Sequence, residues 1–443
     1  MNSIQKCLII AAGRGSRLGS RSSPKPLHPL LGVPLIERVI MTAWRSGLSD
    51  FHVVSGYKGE RIRSFLDGLA VRRGLHIHHL VNERWQEGNG LSVLKAKDEL
   101  REPFVLLMAD HVVDERLLVA LQAEPLEEGT VRLAVDRNTH NSLVDLTDAT
   151  KVSVRGDFLR RIGKRIERFD ALDTGCFLCS PAIFPALEKA SSERGDTSLS
   201  GAVQILAEEG KVRTLDIGDA FWVDVDDTRA MKRAETTLLG RLHKPNDGPV
   251  SRYLSRPLSR RISRYLVRTP LTPNWISLSC FALSVLAAGL FAMGGYILLV
   301  VGGLFAQAAS VVDGCDGEVA RLKFQESAFG AWFDAVLDRY ADAMLLFGLT
   351  WHTFSAGGAS AALVVGFLAI TGSFMNSYTA DKYDRLMKAR FERGQGIRIG
   401  RDVRVLMISV GALFNLPFLT LGLIAGLMNL ETVRRVVVAR ADG

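Results

Sequence analysis

The residues best suited to chemistry lie between Asp313 and Asp338, where D-G-C-D-G-E-V-A-R is followed by Gly330, Asp334 and Asp338. On a helix, acids three or four positions apart share a face, so Asp313 pairs with Asp316 and Asp334 with Asp338. Two such faces brought together make a cage of four carboxylates. Strongly apolar sequence flanks the cage, residues 296–312 before it and a segment through Phe347 and Leu349 after it. An acid inside a membrane costs roughly 2.5–3.5 kcal/mol on insertion scales, and four that repel one another need opposing charge. Divalent cations supply it: hard carboxylate ligands with open coordination positions suit Mg²⁺ or Mn²⁺ holding a diphosphate. Gly317 and Gly330 expose bare helix backbone beside the acids, where a phosphate or nucleotide has room to lie.

The whole pattern, D-x2-D-G-x2-A-R-x8-G-x3-D-x3-D, resembles the signature of CDP-alcohol phosphotransferases without a departure. The resemblance implies a metal-dependent enzyme that displaces CMP from a CDP-linked donor with an acceptor hydroxyl. It implies metal ligation by Asp313, Asp316, Asp334 and Asp338, with Asp338 also the general base. It places Arg321 on the donor's phosphates. The competing reading makes these residues helix-capping or snorkelling acids.

The amino-terminal third carries a second constellation. Residues 6–12 read as a short buried strand that passes directly into Gly13, Arg14, Gly15, Ser16, Arg17 and Leu18. Leu18 stands where a dinucleotide fingerprint needs its third glycine, and no G-x4-G-K-[ST] follows, so neither Rossmann cofactor binding nor a P-loop is expected. Glycine amides cradle a triphosphate, while Arg17 and Lys25 neutralise the departing phosphates. The run A-A-G-x-G-x-R-L, P-K-P-L, G-x-P-L-I is similar to that of sugar-phosphate nucleotidyltransferases, over roughly residues 4–235. The resemblance implies nucleotide binding by Ala12, Gly13, Gly15, Arg17 and Lys25, with Lys25 catalytic. It also implies a loop for the nucleobase at residues 82–92, with Asn82 and Gly88 in it.

Phe104–Met108 reads as a buried strand ending at Asp110, the place where open α/β sheets hold their ligands. Asp110 is the first metal candidate of this domain and Asp226 the second. Alternation puts Asp224 on the same face as Asp226, either as a further ligand or as a hydrogen-bonding support. Lys151 and Lys164 could bind an incoming phosphate, with Asp173 on sugar-like hydroxyls; ordinary surface charge is the alternative. His76, His78 and His79 sit on an alternating strand and read as surface. Cys176 and Cys179 form a lone C-x2-C, read as strand packing.

At 443 residues the chain calls for two domains, and its composition changes along its length. Residues 1–240 are mixed, as in a soluble α/β Rossmann-like nucleotidyltransferase domain. Residues 241–272 make a linker and a basic amphipathic helix, with Leu258, Ile262 and Leu266 on one face and arginines elsewhere. Residues 273–443 read as an all-α transmembrane domain of six helices, near 275–293, 295–315, 328–350, 358–380, 402–419 and 417–436. The net charge of +8 and pI of 9.3 come mainly from residues beside the apolar runs, which points to phospholipid headgroups and not to nucleic acid. Five scattered cysteines argue for a reducing compartment, and the amino terminus lacks a signal-peptide pattern. Basic connections alternate with uncharged ones, so both termini and the catalytic mouth are expected in the cytoplasm of a multi-pass cell-membrane protein. Between the fourth and fifth spans, Lys382, Arg398, Arg401 and Arg404 are the acceptor-phosphate candidates, unless they serve only topology.

A nucleotidyltransferase fused to a CDP-alcohol phosphotransferase resembles the bifunctional inositol-1-phosphate cytidylyltransferase and di-myo-inositol-phosphate-phosphate synthases. That resemblance implies CTP and inositol 1-phosphate as substrates, a CDP-inositol intermediate, Mg²⁺ or Mn²⁺ in both sites, and a homodimer through the membrane helices. Two alternatives stand beside it. One is an enzyme of other specificity, acting on another phospho-alcohol or making a phospholipid. The other is a non-catalytic nucleotide-sensing domain on a membrane anchor.

Overall fold

Cys7, Leu8, Ile9 and Ile10 have no polar alternation, and the strand Lys6–Ala11 that they form is covered on both faces. A computed structural model describes residues 4–18, 23–123, 125–242, 250–357, 360–387 and 400–441. It divides into two compact units, Met1–Leu238 and Leu239–Gly443.

In the first unit, Lys6–Ala11 pairs in parallel with Asp50–Ser55 and with Phe104–Met108, and Asp50–Ser55 pairs in parallel with His76–Val81. Ala171–Cys179 then joins Phe104–Met108 antiparallel, and the nine-stranded sheet continues through Val131–Asp136, Val212–Asp216, Phe158–Gly163 and Lys151–Arg155. The parallel strands all run towards one edge. Their carboxyl ends therefore gather the glycine turn after Ala11 and Asp110 after Met108. A separate antiparallel ribbon, His111–Val113 with Trp222–Asp224, puts Asp224 in register with His111. The Val225 amide then bonds to the Asp110 carbonyl at 3.0 Å, so Asp110, Asp224 and Asp226 are fixed by backbone pairing. Cys176 and Cys179 are both buried and unbridged, as strand packing requires.

In the second unit, Arg256–Leu266 is followed by helices Pro273–Ala292, Tyr296–Leu322, Ala328–Ser355, Ala361–Met387, Arg401–Leu413 and Pro417–Ala441. Among the described residues, three helical stretches are long and apolar enough to cross a membrane: Pro273–Ala292, Tyr296–Leu322 and Ala361–Ala380. The expectation of six spans is therefore met in part. Ala328–Ser355 carries Asp334, Asp338, Arg339 and Asp342. Arg401–Leu413, at 13 residues, is shorter than the roughly 20 that a bilayer core needs. Leu304, Phe367, Leu430 and Val436 are each more than half exposed, as lipid-facing side chains are.

The amphipathic helix corrects its sequence reading. Arg256 does not face lipid: it is buried and donates to Glu318 Oε1 at 3.0 Å, while Ser259 donates to the same oxygen at 2.7 Å. The buried face is Arg256, Ser259 and Ser263, and the two serines are small enough to let the backbone approach Tyr296–Leu322. Ile262 and Leu266 pack at its margin against Ile276, Cys280 and Val319, and Leu258 is left exposed. Lipid helices pack closely only where side chains are small. At Gly348 an added Cβ would lie 2.5 Å from the Ala288 carbonyl oxygen, a backbone atom that cannot swing aside. Gly348→Val is accordingly expected to destabilise the second unit by about 1–3 kcal/mol, read as a lower thermal midpoint in detergent, while an exposed change such as Gly426→Ala leaves it in place.

Candidate active sites

In the first unit the centre is a lysine surrounded by acids. Gly15, with φ of +59°, turns the chain so that the Lys25 stem passes directly beneath it; any Cβ there would overlap that stem. Lys25 is 5% exposed, and its ammonium donates to Asp110 Oδ2 at 2.5 Å and to Asp226 Oδ1, with Asp224 Oδ1 at 3.9 Å. Burial works against the charged lysine, but the three carboxylates outweigh it and hold Lys25 protonated well above its usual range. His111 behaves alike: burial opposes its charge, and Asp224 prevails, raising it to about 10. Its Nδ1 donates to the Thr174 carbonyl at 2.7 Å, and its Nε2 lies 3.6 Å from Asp224. Arg17 bonds to Asp148 and reaches Asp226 at 3.3 Å. Asp110, Asp224 and Asp226 thus face three cationic groups, Lys25, His111 and Arg17, and the charges balance.

Beside this centre lies a cavity of about 270 Å³ lined by Arg17, Asp110, Lys164, Asp173, Asp224 and Asp226 among others. Lys164 donates to Asp148 at 2.6 Å, and that bond leads in holding the Asp148 carboxyl at about 2. Asp173 accepts from the Gly175 amide at 2.8 Å, and burial raises its carboxyl to about 6. Lys151 is not brought here; its ammonium lies over the Phe169 ring, 5.4 Å from the centroid. Ala12 is buried with its carbonyl accepting from Tyr57, whereas the space beside Gly13 is open. Asn82 is buried and ties its own loop together by donating to Ser92 at 3.0 Å and accepting from the Arg84 amide. Gly88 makes its close approach to Thr197, whose hydroxyl accepts from its amide at 3.1 Å.

In the second unit, helices Tyr296–Leu322 and Ala328–Ser355 bring their acids together. Asp313, Asp334 and Asp338 each offer an oxygen within 4.8 Å of the others, and Asp316 accepts from the Ser277 hydroxyl at 2.5 Å. Arg401 is drawn into the same cluster, its Nη1 2.9 Å from Asp313 and 2.5 Å from Asp338, its Nε donating to Asp342 at 3.1 Å. Arg404, 3% exposed, donates to Asp342 at 2.6 Å. Arg321 donates to the Leu242 carbonyl at 2.9 Å. Gly317 lies against the Arg321 guanidinium, and the Gly330 amide is capped by Ser327 at 2.9 Å. Arg398 and the Lys382 side chain lie outside the described residues.

The sequence reading missed Asp342, His111 and Glu318. Asp342 continues the four-residue step from Asp334 and Asp338, a signal that was present. Its role follows from Arg404, however, and that pairing is tertiary. His111 is adjacent to Asp110, but only the ribbon turns it towards Asp224.

Both acid groups present donors suited to a metal ion. In the second unit, five acids, Asp313, Asp316, Asp334, Asp338 and Asp342, face Arg401, Arg404 and the nearby Arg339. The excess of two negative charges, all on hard oxygen donors, suits one divalent cation. In the first unit Asp110 and Asp224 bring hard carboxylate oxygens within ligand distance of one another, and the buried Asp224 Oδ1 has no hydrogen-bond partner. Both sets fit.

A family model described as MobA-like NTP transferase domain matches residues 7–208, and one described as CDP-alcohol phosphatidyltransferase matches residues 270–433. The chain is therefore a transferase that joins a nucleotidyltransferase domain to a CDP-alcohol phosphotransferase domain. A bifunctional IPC transferase and DIPP synthase of Rubrobacter xylanophilus is 38% identical over 434 residues, covering 97% of this chain and 95% of that protein. One of Thermococcus kodakarensis is 33% identical, covering 86% of this chain and 82% of its own length. A solved inositol-1-phosphate CTP transferase of T. maritima aligns over 53% of this chain and 96% of its own at 23% identity and a TM-score of 0.48. By the extent of the first two matches, this chain belongs to the family of bifunctional IPC transferases and DIPP synthases.

Two outcomes are expected from the geometry. Asp173 is a stronger acceptor as the carboxylate than as the neutral acid, so if it holds the acceptor's hydroxyls, KM for that substrate rises as pH falls below about 6, and Asp173→Asn flattens the profile. Asp342→Asn leaves Arg404 buried beside a neutral partner and lowers stability by about 3–5 kcal/mol in thermal or denaturant unfolding.

Proposed function

We propose that the first unit joins CTP to inositol 1-phosphate, releasing pyrophosphate, and that the second moves phosphoinositol from CDP-inositol onto another inositol 1-phosphate, releasing CMP. What carries the reading is the pairing of two separate acid centres, each beside the chain's own cations, with relatives that share nearly the whole chain and are named for both activities.

In the first reaction an oxygen of the acceptor's phosphate attacks the α-phosphorus of CTP, and the bond to the departing pyrophosphate breaks. Arg17 and Lys25 neutralise the leaving phosphates, Gly13 and Gly15 offer backbone amides, and Lys164 with Asp173 hold the acceptor in the cavity. Ala12, Asn82 and Gly88 shape the nucleotide's surroundings. Asp110 and Asp226 would hold the cation, beside Lys25 and Arg17. In the second reaction Asp338 takes the proton from the attacking hydroxyl as the phosphorus–oxygen bond to CMP breaks. Asp313, Asp316, Asp334 and Asp338 would hold Mg²⁺ or Mn²⁺, with Arg321, Gly317 and Gly330 at the donor and Arg401, Arg398 and Lys382 at the acceptor. A bound divalent cation stabilises charge on the transferring phosphate in either site. Arg401 already bridges Asp313 and Asp338, so the reading requires it to turn from the acids to the substrate when a cation binds.

The membrane side of the proposal keeps six crossings, with both termini and both sites on the cytoplasmic face, where basic loops stay. Helices Ala328–Ser355, Arg401–Leu413 and Pro417–Ala441 then cross as well, the 13-residue Arg401–Leu413 by local thinning of the bilayer, and a second copy packs against the exposed apolar faces. Separate reactions mean separable defects. Asp110→Asn should lower CDP-inositol formation about 10²–10⁴-fold and spare transfer from supplied CDP-inositol, and Asp338→Asn should do the reverse. Loss of both activities from either single change, in protein that still unfolds cooperatively, would overturn the two-site reading.

A further inference from the structure

The histidine strand that sequence pattern assigns to the surface acquires partners in the fold. His76–Val81 is the edge strand of the sheet, paired in parallel with Asp50–Ser55 so that His78 stands opposite His52. Alternation carries Asp50 and His52 to the face that also bears His78, whereas His79 bonds to Asp67 at 2.8 Å. Asp50, His52 and His78 each offer a ligand atom within 4.8 Å of the other two. Asp50 Oδ1 lies 3.0 Å from His78 Nε2 and Asp50 Oδ2 lies 3.6 Å from His52 Nε2. Those separations bracket the roughly 3.3 Å between neighbouring ligands of a tetrahedral ion whose bonds are about 2.0–2.1 Å long.

The second observation concerns His52 itself. It is 3% exposed, and neither ring nitrogen has a hydrogen-bond partner. A buried imidazole with both nitrogens idle is costly, since polar groups shielded from water are almost always paired. The buried Asp50 Oδ1 is likewise without a hydrogen bond although His78 Nε2 is close, so the two atoms approach without the alignment that an N–H donor needs. The nearest competing cation, Lys6, is engaged by Glu102 at 2.7 Å. His78 and Asp50 keep partial exposure, which gives an ion a way in.

We propose that Asp50, His52 and His78 form a binding site for a borderline divalent metal ion of the Zn²⁺ class, distinct from the two acid centres. Two imidazoles and one carboxylate favour such an ion over Mg²⁺, and water completes the shell. The site lies at the amino ends of the parallel strands, the opposite end of the sheet from Asp110. It clips the amino half of the edge strand to its neighbour; at the far end of the same two strands the loop begins at Asn82, whose amide bonds to the Ser55 carbonyl at 2.9 Å. Its role is thus to hold an edge strand, and through it the loop, not to take part in transfer.

The test uses the full chain in detergent with excess Mg²⁺, so that the hard carboxylate sites are filled, and Zn²⁺ as the probe in equilibrium dialysis with elemental analysis. His78, on the exposed edge, is the residue to change. Wild type should bind one more equivalent of Zn²⁺ than His78→Ala and gain thermal stability on adding it. His78→Cys, which restores a ligand, should recover both. Asp110→Asn should keep the equivalent, which separates this site from the one around His111. Equal Zn²⁺ binding by wild type and His78→Ala, or no Zn²⁺ bound by wild type, would overturn the proposal.

Discussion

Burying carboxylates beside cations that the chain itself supplies is the constraint on which both halves of the molecule depend. Lys25 is enclosed by Asp110, Asp224 and Asp226, and Arg401 by Asp313, Asp338 and Asp342. An uncompensated buried charge costs several kcal/mol, so these acids and bases fix one another's positions before any substrate arrives. The arrangement also limits what each centre can accept. The first sets its acids against Lys25, His111 and Arg17, while the second retains an excess of negative charge on hard oxygen donors.

The supporting architecture differs between the units because the solvents differ. In the first, backbone pairing does the positioning: a parallel sheet delivers Asp110 and the glycine turn to one edge, and the His111–Val113 ribbon brings Asp224 and Asp226 to them. In the second, helices satisfy their own backbone, so position comes from close packing at small residues and from internal ion pairs such as Arg256 with Glu318 and Arg404 with Asp342. Arginines that a count of charges would assign to lipid headgroups or to topology are in part structural. This is why the basic stretch after residue 250 is not simply a surface helix: one face of it belongs to the interior.

The acid motif at 313–338 and the glycine turn before Lys25 were legible because local spacing determines them. Three- and four-residue steps put acids on one helix face whatever the helix packs against, and strand alternation aligns Asp224 with Asp226. The sheet core was legible for the same reason, from unbroken apolar runs such as Phe104–Met108. Lys151 shows the limit: its charge was legible, but which way its ammonium points depends on Phe169, a neighbour remote from it in sequence.

The sequence alone thus determined the two domains' classes, the chemistry of their acids and the family that this chemistry belongs to, since each rests on residue types at short, fixed separations. Only the tertiary structure decided which cation stands against which acid. Arg401 enters the carboxylate cluster, Arg404 takes Asp342, Arg256 takes Glu318, and His52 meets His78 across two strands. Those pairings join segments distant along the chain, and their energies depend on burial, which a residue acquires only when the rest of the fold closes over it.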